Sequence, residues 1–298
     1  MVPVLLESSQ SNMPEKMNNR LCNLCSNAVF TELGELHGRK LVKCDDCGLV
    51  FFNPLPTAEE LSAIYNDPEY FELEYFATGE IVEEDTHSEH QLYALEDASP
   101  VCSEESPLLD VGPGKGALLK QCKQRGVPAE GLEFSEIGAE YLRETVGLRV
   151  HGGSLEDLAK SGRKYGAVTA FDVIEHCTDP MGWLESVHKV LEGGGKFYLS
   201  TMTVDNLLDR VGRLLFNLGL KGPMLRLYPE FHLYYFDLTT LKRYLEQAGF
   251  EVLSQVSENY SPQKATKSVV MRMVMRCLYI VHDITGKKTN QYLVCVKR

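Results

Sequence analysis

Residues 108–119 read LLDVGPGKGALL, and the fold of the chain turns on what that stretch is. Two apolar residues, an acid and another apolar residue lead through Gly112, Gly114 and Gly116 into a helix-like run. The pattern reads as a short buried strand, a tight glycine loop and the start of a helix. A phosphate-binding loop of the G-x-x-x-x-G-K-[ST] type is excluded, because Gly114-Lys115 is followed by Gly116 instead of Ser or Thr. The dinucleotide spacing G-x-G-x-x-A survives in Gly112, Gly114 and Ala117. Glycine-rich turns are common, so the neighbouring segments decide.

Those neighbours alternate. AEGLEF (129–134) reads as a strand, SEIGAEYLRETVG (135–147) as a helix and LRVHGG (148–153) as a strand. YGAVTAFDVIEH (165–176) is a further strand, PMGWLESVHKVLEGGG (180–195) a helix ending in glycines, and KFYLSTM (196–202) another strand. LTTLKRYLEQAGF (238–250) is a helix, and EVLSQVSE (251–258) and QYLVCVKR (291–298) close as strands. Strand and helix in regular turn predict a parallel, doubly wound α/β sheet with its ligands at the strands' carboxyl ends.

Composition sets outer bounds. At 298 residues, 44% hydrophobic and 24% charged, the chain suits one good core plus a smaller module. No apolar run spans a bilayer, and MVPVLLESSQ lacks the basic, long apolar pattern of a signal peptide, so the expected location is cytoplasmic. A net charge of −12 argues against nucleic acid as a partner. That charge is unevenly spread. Fifteen acids and no Lys or Arg lie between Pro54 and Ser106, whereas eight Lys or Arg face one Asp from Tyr260 to Arg298.

Four of the nine cysteines form two C-x-x-C pairs, Cys22/Cys25 and Cys44/Cys47, with eighteen residues between them. Four thiolates at that spacing can close a tetrahedron around Zn²⁺, which predicts a zinc ribbon over residues 18–53. Gly48 supplies the turn behind the second pair, and His37 is expected on the surface of the intervening hairpin. Residues 54–106 read as an acidic helical linker or cap. There Thr57 is a plausible N-cap, and Tyr65, Tyr70, Phe71, Tyr75 and Phe76 cluster, chiefly as packing residues.

Taken in order, these segments resemble the class I S-adenosylmethionine-dependent methyltransferases. LLDVGPGKGALL looks like their first motif, with an acid two residues before the first glycine, and Glu133 stands 23 residues after Asp110. YGAVTAFDVIEHCTDP, VLEGGGKFYLST and FHLYYFDLTTLKRYLEQAGFEV look like the later motifs. The EH…DP ending, with the cysteine ribbon and GLVFFNPLPTAEEL before it, resembles a subgroup that includes sugar C-methyltransferases. The resemblance covers residues 107–298. It implies a Rossmann-like seven-stranded methyltransferase domain there, S-adenosylmethionine as cofactor, and a small-molecule, sugar or lipid-linked methyl acceptor.

The chemistry of the cofactor fits these positions. Gly112, Gly114 and Gly116 let the backbone approach a ligand without a Cβ in the way. Glu133 can accept hydrogen bonds from both ribose hydroxyls, and Asp110 can hold the ammonium end. Leu155 in GGSLED would lie against the adenine, and the resemblance places Phe171 and Asp172 near the methionine portion. A base is needed only where the acceptor must lose a proton. His176 and His232 are the candidates, each weighed against a role that only shapes the pocket. Sugar C-methyltransferases of this group carry a Tyr-x-Glu-His-like cluster, here Tyr228, Glu230 and His232 with one residue inserted.

Two rival functions draw on the same residues. An NAD-dependent oxidoreductase would explain the glycine spacing and Glu133 but not the later motifs. A non-enzymatic module, a zinc ribbon on a methyltransferase-like scaffold, sits poorly with an intact glycine loop. Finally, Leu207, Leu208, Val211, Leu214, Leu215 and Leu218 follow helical spacing beside Arg210, Arg213, Lys221 and Arg226. VVMRMVMRCLYIV (269–281) is a second apolar-basic run. Both are expected to pack on the sheet or at a dimer interface. The sharper alternative is a lid that touches an anionic membrane surface or a lipid-linked or diphosphate-bearing acceptor.

Overall fold

The computed structural model describes residues 21–57, 59–61, 88–204, 206–262 and 268–298. The expected aromatic cluster at Tyr65, Tyr70, Phe71, Tyr75 and Phe76 lies outside the described residues. Three strands, β1 (Phe30–Leu36), β2 (Arg39–Cys44) and β3 (Val50–Asn53), pair antiparallel. Strand alternation sends the paired Leu41 and Phe52 into one apolar cluster and the paired Val42 and Phe51 into another. The helix at Thr57 opens with a reciprocal cap: the Glu60 amide donates to Thr57 Oγ1 (3.2 Å) and the Thr57 amide to Glu60 Oε2 (2.7 Å).

Beyond α1 (Ser88–Ala98) the chain alternates as its sequence predicts. β4 (Leu108–Val111), α2 (Ala117–Arg125), β5 (Ala129–Glu133), α3 (Glu136–Glu140) and β6 (Val150–Gly152) come first. Then follow α4 (Leu155–Lys160), β7 (Tyr165–Phe171), α5 (Pro180–Val190) and β8 (Leu191–Met202). Next are α6 (Leu207–Asn217), α7 (Gly222–Leu227), β9 (Tyr234–Tyr235) and α8 (Leu238–Gln247). The chain closes with β10 (Phe250–Glu258), α9 (Val269–Thr285) and β11 (Asn290–Lys297).

Seven strands form one sheet in the order β10-β11-β8-β7-β4-β5-β6. Five of them, β6 to β8 through β5, β4 and β7, are parallel. The edge departs from the all-parallel expectation, since β11 runs antiparallel to both β8 and β10. All of β4 and six of the seven β7 residues are buried, as helices covering both faces require. α5 supplies Trp183, Leu184 and Val187 to one face, and α1 and α2 supply Ala94, Leu95, Leu118 and Cys122 to the other. Each large apolar side chain taken out of water here contributes about 1.5–3 kcal/mol.

Several element boundaries differ from the sequence reading. β7 stops at Phe171 because Asp172 takes a left-handed backbone (φ 54°), and the chain then tightens into a 3₁₀ turn, Ile174–His176. α5 stops at Val190 instead of running into the glycines. Leu191 is already extended and pairs with Tyr165. The expected helix 135–147 is regular only to Glu140, widening into a π turn at Tyr141–Thr145.

β9 pairs with β3 through Val50↔Tyr235 and Phe51↔Tyr234. The three-stranded N-terminal sheet therefore takes its fourth strand from far along the chain. His37, at the tip of the β1–β2 turn, bonds through Nε2 to the Tyr228 carbonyl (2.9 Å). Residues Leu36, Leu41, Val50 and Phe52 share one cluster with Met224, Tyr228 and Tyr235. The small module is packed onto the larger one.

α6 does not bury the face its leucines suggested. Its buried residues are Asp209 and Gly212, while Leu214 and Leu218 are 60% and 70% exposed. Asp209 is held inside by Nε and Nη2 of Arg213 (2.8 and 2.6 Å) and by the Tyr228 hydroxyl. A buried carboxylate needs that company, so the helix turns Asp209 inward, leaving Leu207, Leu208, Val211 and Leu215 half-buried and Leu214 and Leu218 exposed.

Candidate active site

The glycine loop lies where β4 ends, at the carboxyl edge of the sheet. Gly112, Gly114 and Gly116 all have left-handed backbones (φ 66°, 52° and 74°), which only glycine adopts cheaply. Their surroundings differ. A Cβ on Gly112 would meet Val173 Cγ2 at 2.8 Å, and one on Gly116 would meet Leu148 Cδ1 at 2.6 Å. A Cβ on Gly114 would meet no described atom within 4 Å. Gly112 and Gly116 are therefore required by protein packing as well as by φ, and Gly114 alone faces an open cradle.

Two carboxylates stand on the adjacent parallel strands β4 and β5. Asp110, 4% exposed, accepts a hydrogen bond from Thr169 Oγ1 of β7 (2.7 Å), which fixes its side chain. Glu133 ends β5, where its Oε1 accepts from the Ser135 amide (2.9 Å). Ser135 caps α3 through Gly138, so Glu133 sits on a rigid corner. Leu155 is buried as the first residue of α4, behind the Ser154 cap. Phe171 is half-buried at the end of β7. Phe134, not singled out in the sequence, is 53% exposed beside Glu133.

On the other side of the β7 terminus, Asp172 is locked to β8. Its amide donates to the Ser200 carbonyl (3.1 Å), and Ser200 Oγ donates to its Oδ1 (2.8 Å). Around it His176 and His232 come together, their ring centroids 4.7 Å apart and nearly perpendicular, with Phe231 stacked on His176. Burial pushes the His176 pKa down to about 4, against the Asp172 carboxylate and the Phe231 backbone, which favour its cation. Burial also lowers His232 well below its ordinary value, helped by His176 and opposed by Asp172. Both rings are neutral near pH 7. That lies well below the near-neutral value expected of a poised base.

The third member of this group is Glu175, a residue the sequence reading passed over. It is 1% exposed, and burial, then the Asp172 charge, raises its pKa well above the usual carboxylate range. The Tyr-x-Glu-His-like cluster does not form. Glu230 faces solvent, and Tyr228 points its hydroxyl to Asp209 and Arg213. The sequence carried no signal that distinguished Glu175 from a solvated acid beside His176.

Away from the sheet edge, Cys22, Cys25, Cys44 and Cys47 converge with all four sulfurs within 4.8 Å of one another. The Cys22–Cys47 and Cys25–Cys44 sulfur pairs are each 3.5 Å apart. Thiolates about 2.3 Å from a shared tetrahedral ion lie roughly 3.8 Å apart. The donor set fits a tetrahedral metal ion.

A doubly wound seven-stranded sheet with a glycine loop and paired acids at its carboxyl edge defines the class I S-adenosylmethionine-dependent methyltransferase fold. Residues 89–255 match the family described as a methyltransferase domain, and the chain belongs to that family. The ubiquinone biosynthesis O-methyltransferase of Ruegeria pomeroyi is 31% identical over 100 residues, 32% of this chain and 40% of that protein. The same-named protein of Coxiella burnetii is 25% identical over 166 residues, 53% of this chain and 68% of that one. The first of these matches thus spans well under half of its relative. The phosphoethanolamine N-methyltransferase 2 of Haemonchus contortus, solved with S-adenosyl-L-methionine, has a TM-score of 0.51 at 13% identity, over 83% of this chain and 61% of that one. At that identity the likeness concerns the fold.

Proposed function

We propose that the protein transfers a methyl group from S-adenosylmethionine to an oxygen of a small, lipid-linked acceptor. The observation that carries this reading is the left-handed glycine loop, open at Gly114, following the strand that bears Asp110 and next to the strand that ends in Glu133, in a chain of the methyltransferase-domain family. The cofactor supplies an electrophilic methyl on a sulfonium that departs as a neutral thioether. In this reading Glu133 accepts from the ribose hydroxyls, Asp110 holds the ammonium end, and Leu155, with the exposed Phe134, borders the adenine. Phe171 and Asp172 border the methionine portion. Alignment and exclusion of water do most of the work.

The acceptor side is Glu175, His176 and His232. The two neutral imidazoles offer lone pairs to an acceptor hydroxyl, the role given to them as bases. Oxygen as the acceptor atom is favoured by the likeness to ubiquinone biosynthesis O-methyltransferases, and a sugar acceptor has no comparable support. The domain reading follows the same lines: a ribbon up to residue 53 holding Zn²⁺ on its four cysteines and a transferase domain over 107–298; the acidic stretch 54–106 expected as a linker or cap lies largely outside the described residues.

The lipid-linked reading is supported by an apolar surface. On α9, Val270, Met273, Ile280 and Ile284 are 70%, 56%, 62% and 79% exposed, beside Arg272 and Arg276. Leu214 and Leu218 extend that surface from α6, which packs near α9. No described helix is long and apolar enough to cross a membrane; basic residues beside an apolar helix face suit peripheral contact with an anionic surface. Incubating the protein with methyl-labelled cofactor and a cell lipid extract tests the function. Label entering an ether-type lipid product supports it, and label confined to water-soluble carbon- or nitrogen-methylated products overturns it.

A further inference from the structure

The Glu175–His176–His232 group has a property that direct contact with an acceptor leaves unexplained. Both carboxyl oxygens of Glu175 and Nδ1 of His232 are fully buried without a hydrogen-bond partner among the described residues. The Thr201 hydroxyl and the Glu175 and Met202 amides face the carboxyl group and favour its charge. None of them reaches it in hydrogen-bonding geometry. The simplest internal remedy, a hydrogen bond from a protonated Glu175 to His232 Nδ1, is not made. Buried polar groups left in this condition cost roughly 1–3 kcal/mol each, and such a cluster calls for a missing partner.

We infer that Glu175, His176 and His232 form a second metal site, for a first-row divalent cation, separate from the four cysteines. One donor atom from each residue lies within 4.8 Å of the others. Contraction on the order of 1 Å would place all three about 2.1 Å from a shared ion. The two chain segments that carry them are tied together by the Leu233 amide, which donates to the Glu175 carbonyl (2.7 Å), and the second segment is itself held in a turn by the His232 amide donating to the Pro229 carbonyl (3.2 Å). His176 is oriented by its Phe231 backbone partner and by the stacked Phe231 ring, the kind of support that aims metal-bound imidazoles.

The donor chemistry agrees. Neutral imidazoles are the ligand form of histidine, and the His176 and His232 rings stand together with centroids 4.7 Å apart. A cation would let Glu175 ionise, and the neighbouring Asp172 carboxylate adds negative charge behind the site. Two imidazoles and one carboxylate leave coordination positions open, as sites for Fe²⁺, Co²⁺, Mn²⁺ or Zn²⁺ do when they bind a second ligand.

What that second ligand is rests on the methyl-transfer reading; the ion site does not. An acceptor hydroxyl bound to the cation would release its proton to water more readily. Its oxygen would then form the O–C bond as the C–S bond breaks and the electron pair passes to sulfur. The histidines would hold the ion instead of taking the proton.

Cobalt separates the two sites by colour. Full-length protein purified with its cysteine site filled is titrated with Co²⁺ and followed by visible and near-ultraviolet absorption. One further equivalent should bind, giving weak visible bands without the near-ultraviolet sulfur-to-cobalt absorption of a thiolate site. Glu175→Gln and His232→Ala should weaken that binding roughly 100-fold, the upper range for disturbed metal sites. Wild-type protein that takes up no cobalt beyond the cysteine site overturns the inference, as does unchanged uptake by folded Glu175→Gln. Because the wild-type titration decides by itself, a misfolded variant leaves no gap. S-adenosylhomocysteine binding is measured in parallel. Its absence would sink the methyl-transfer reading and leave the cobalt result standing.

Discussion

Gly114 and Gly116 stand two residues apart in one loop and should respond to the same substitution in opposite ways. An alanine at either position must adopt a left-handed backbone, φ 52° or 74°, which costs about 1–2 kcal/mol. At Gly116 the new methyl would also meet Leu148 Cδ1 at 2.6 Å and Leu142 Cδ2 at 3.1 Å, and overpacking of this kind costs about 1–3 kcal/mol more. Gly116→Ala should therefore lose about 2–5 kcal/mol of stability. Gly114→Ala meets no described atom, so it should lose only the backbone share, about 1–2 kcal/mol. Its methyl instead occupies the cradle, and affinity for S-adenosylhomocysteine should fall at least about tenfold, or 1.4 kcal/mol. Urea unfolding and titration calorimetry on the two purified variants measure both quantities. Equal destabilisation of the two, or unchanged ligand affinity in Gly114→Ala, would refute the assignment of the cradle.

Three further outcomes are expected. Protein purified natively should carry one zinc ion at Cys22, Cys25, Cys44 and Cys47; Cys44→Ser should release it and loosen β1–β3, since metal binding and folding are coupled in so small a module, and elemental analysis with circular dichroism reads both. Asp209→Ala should cost about 3–5 kcal/mol by leaving Arg213 unpaired beside Tyr228; a denaturant midpoint within error of wild type would contradict the inward-facing pair. For Glu130, burial raises the pKa, but hydrogen bonds from His151 and then Arg163 outweigh it and hold the carboxyl below its ordinary value. Its stabilisation is thus full above the unfolded carboxylate pKa of about 4.3 and is lost as pH falls through the lower folded value. Arg163 is 38% exposed, so Glu130→Gln should cost only about 1–3 kcal/mol at pH 7, and its denaturant midpoint should fall less than that of wild type between neutrality and acid.

Much of this protein was legible because the deciding physics is local. Glycine at 112, 114 and 116 announces backbone angles that other residues resist, and the structure has all three left-handed. The apolar runs at 108–111 and 165–171 announce strands covered on both faces, and they lie at the centre of the sheet. C-x-x-C pairs announce a shared site through their own spacing, and the four sulfurs converge. Thr57 and Glu60 cap a helix through contacts three residues apart.

The tertiary structure decided whatever depends on which distant residue arrives alongside. Leu207 to Leu218 have helical apolar spacing, yet α6 turns Asp209 inward because Arg213 and Tyr228 satisfy its charge there. Periodicity cannot foresee a partner brought in by α7. Glu230 was the nearer acid to His232 in sequence, but it faces solvent. Glu175 reaches the histidine because Leu233 is hydrogen-bonded to its carbonyl beside the end of β7. Likewise β3 finds its last partner in β9, and the antiparallel insertion of β11 follows from the chain's return along β8. Sequence fixes angles, periods and local caps, because these are properties of neighbouring residues. Which carboxylate stands beside which imidazole is a property of packing, settled only when buried charges and apolar faces find partners across the whole chain.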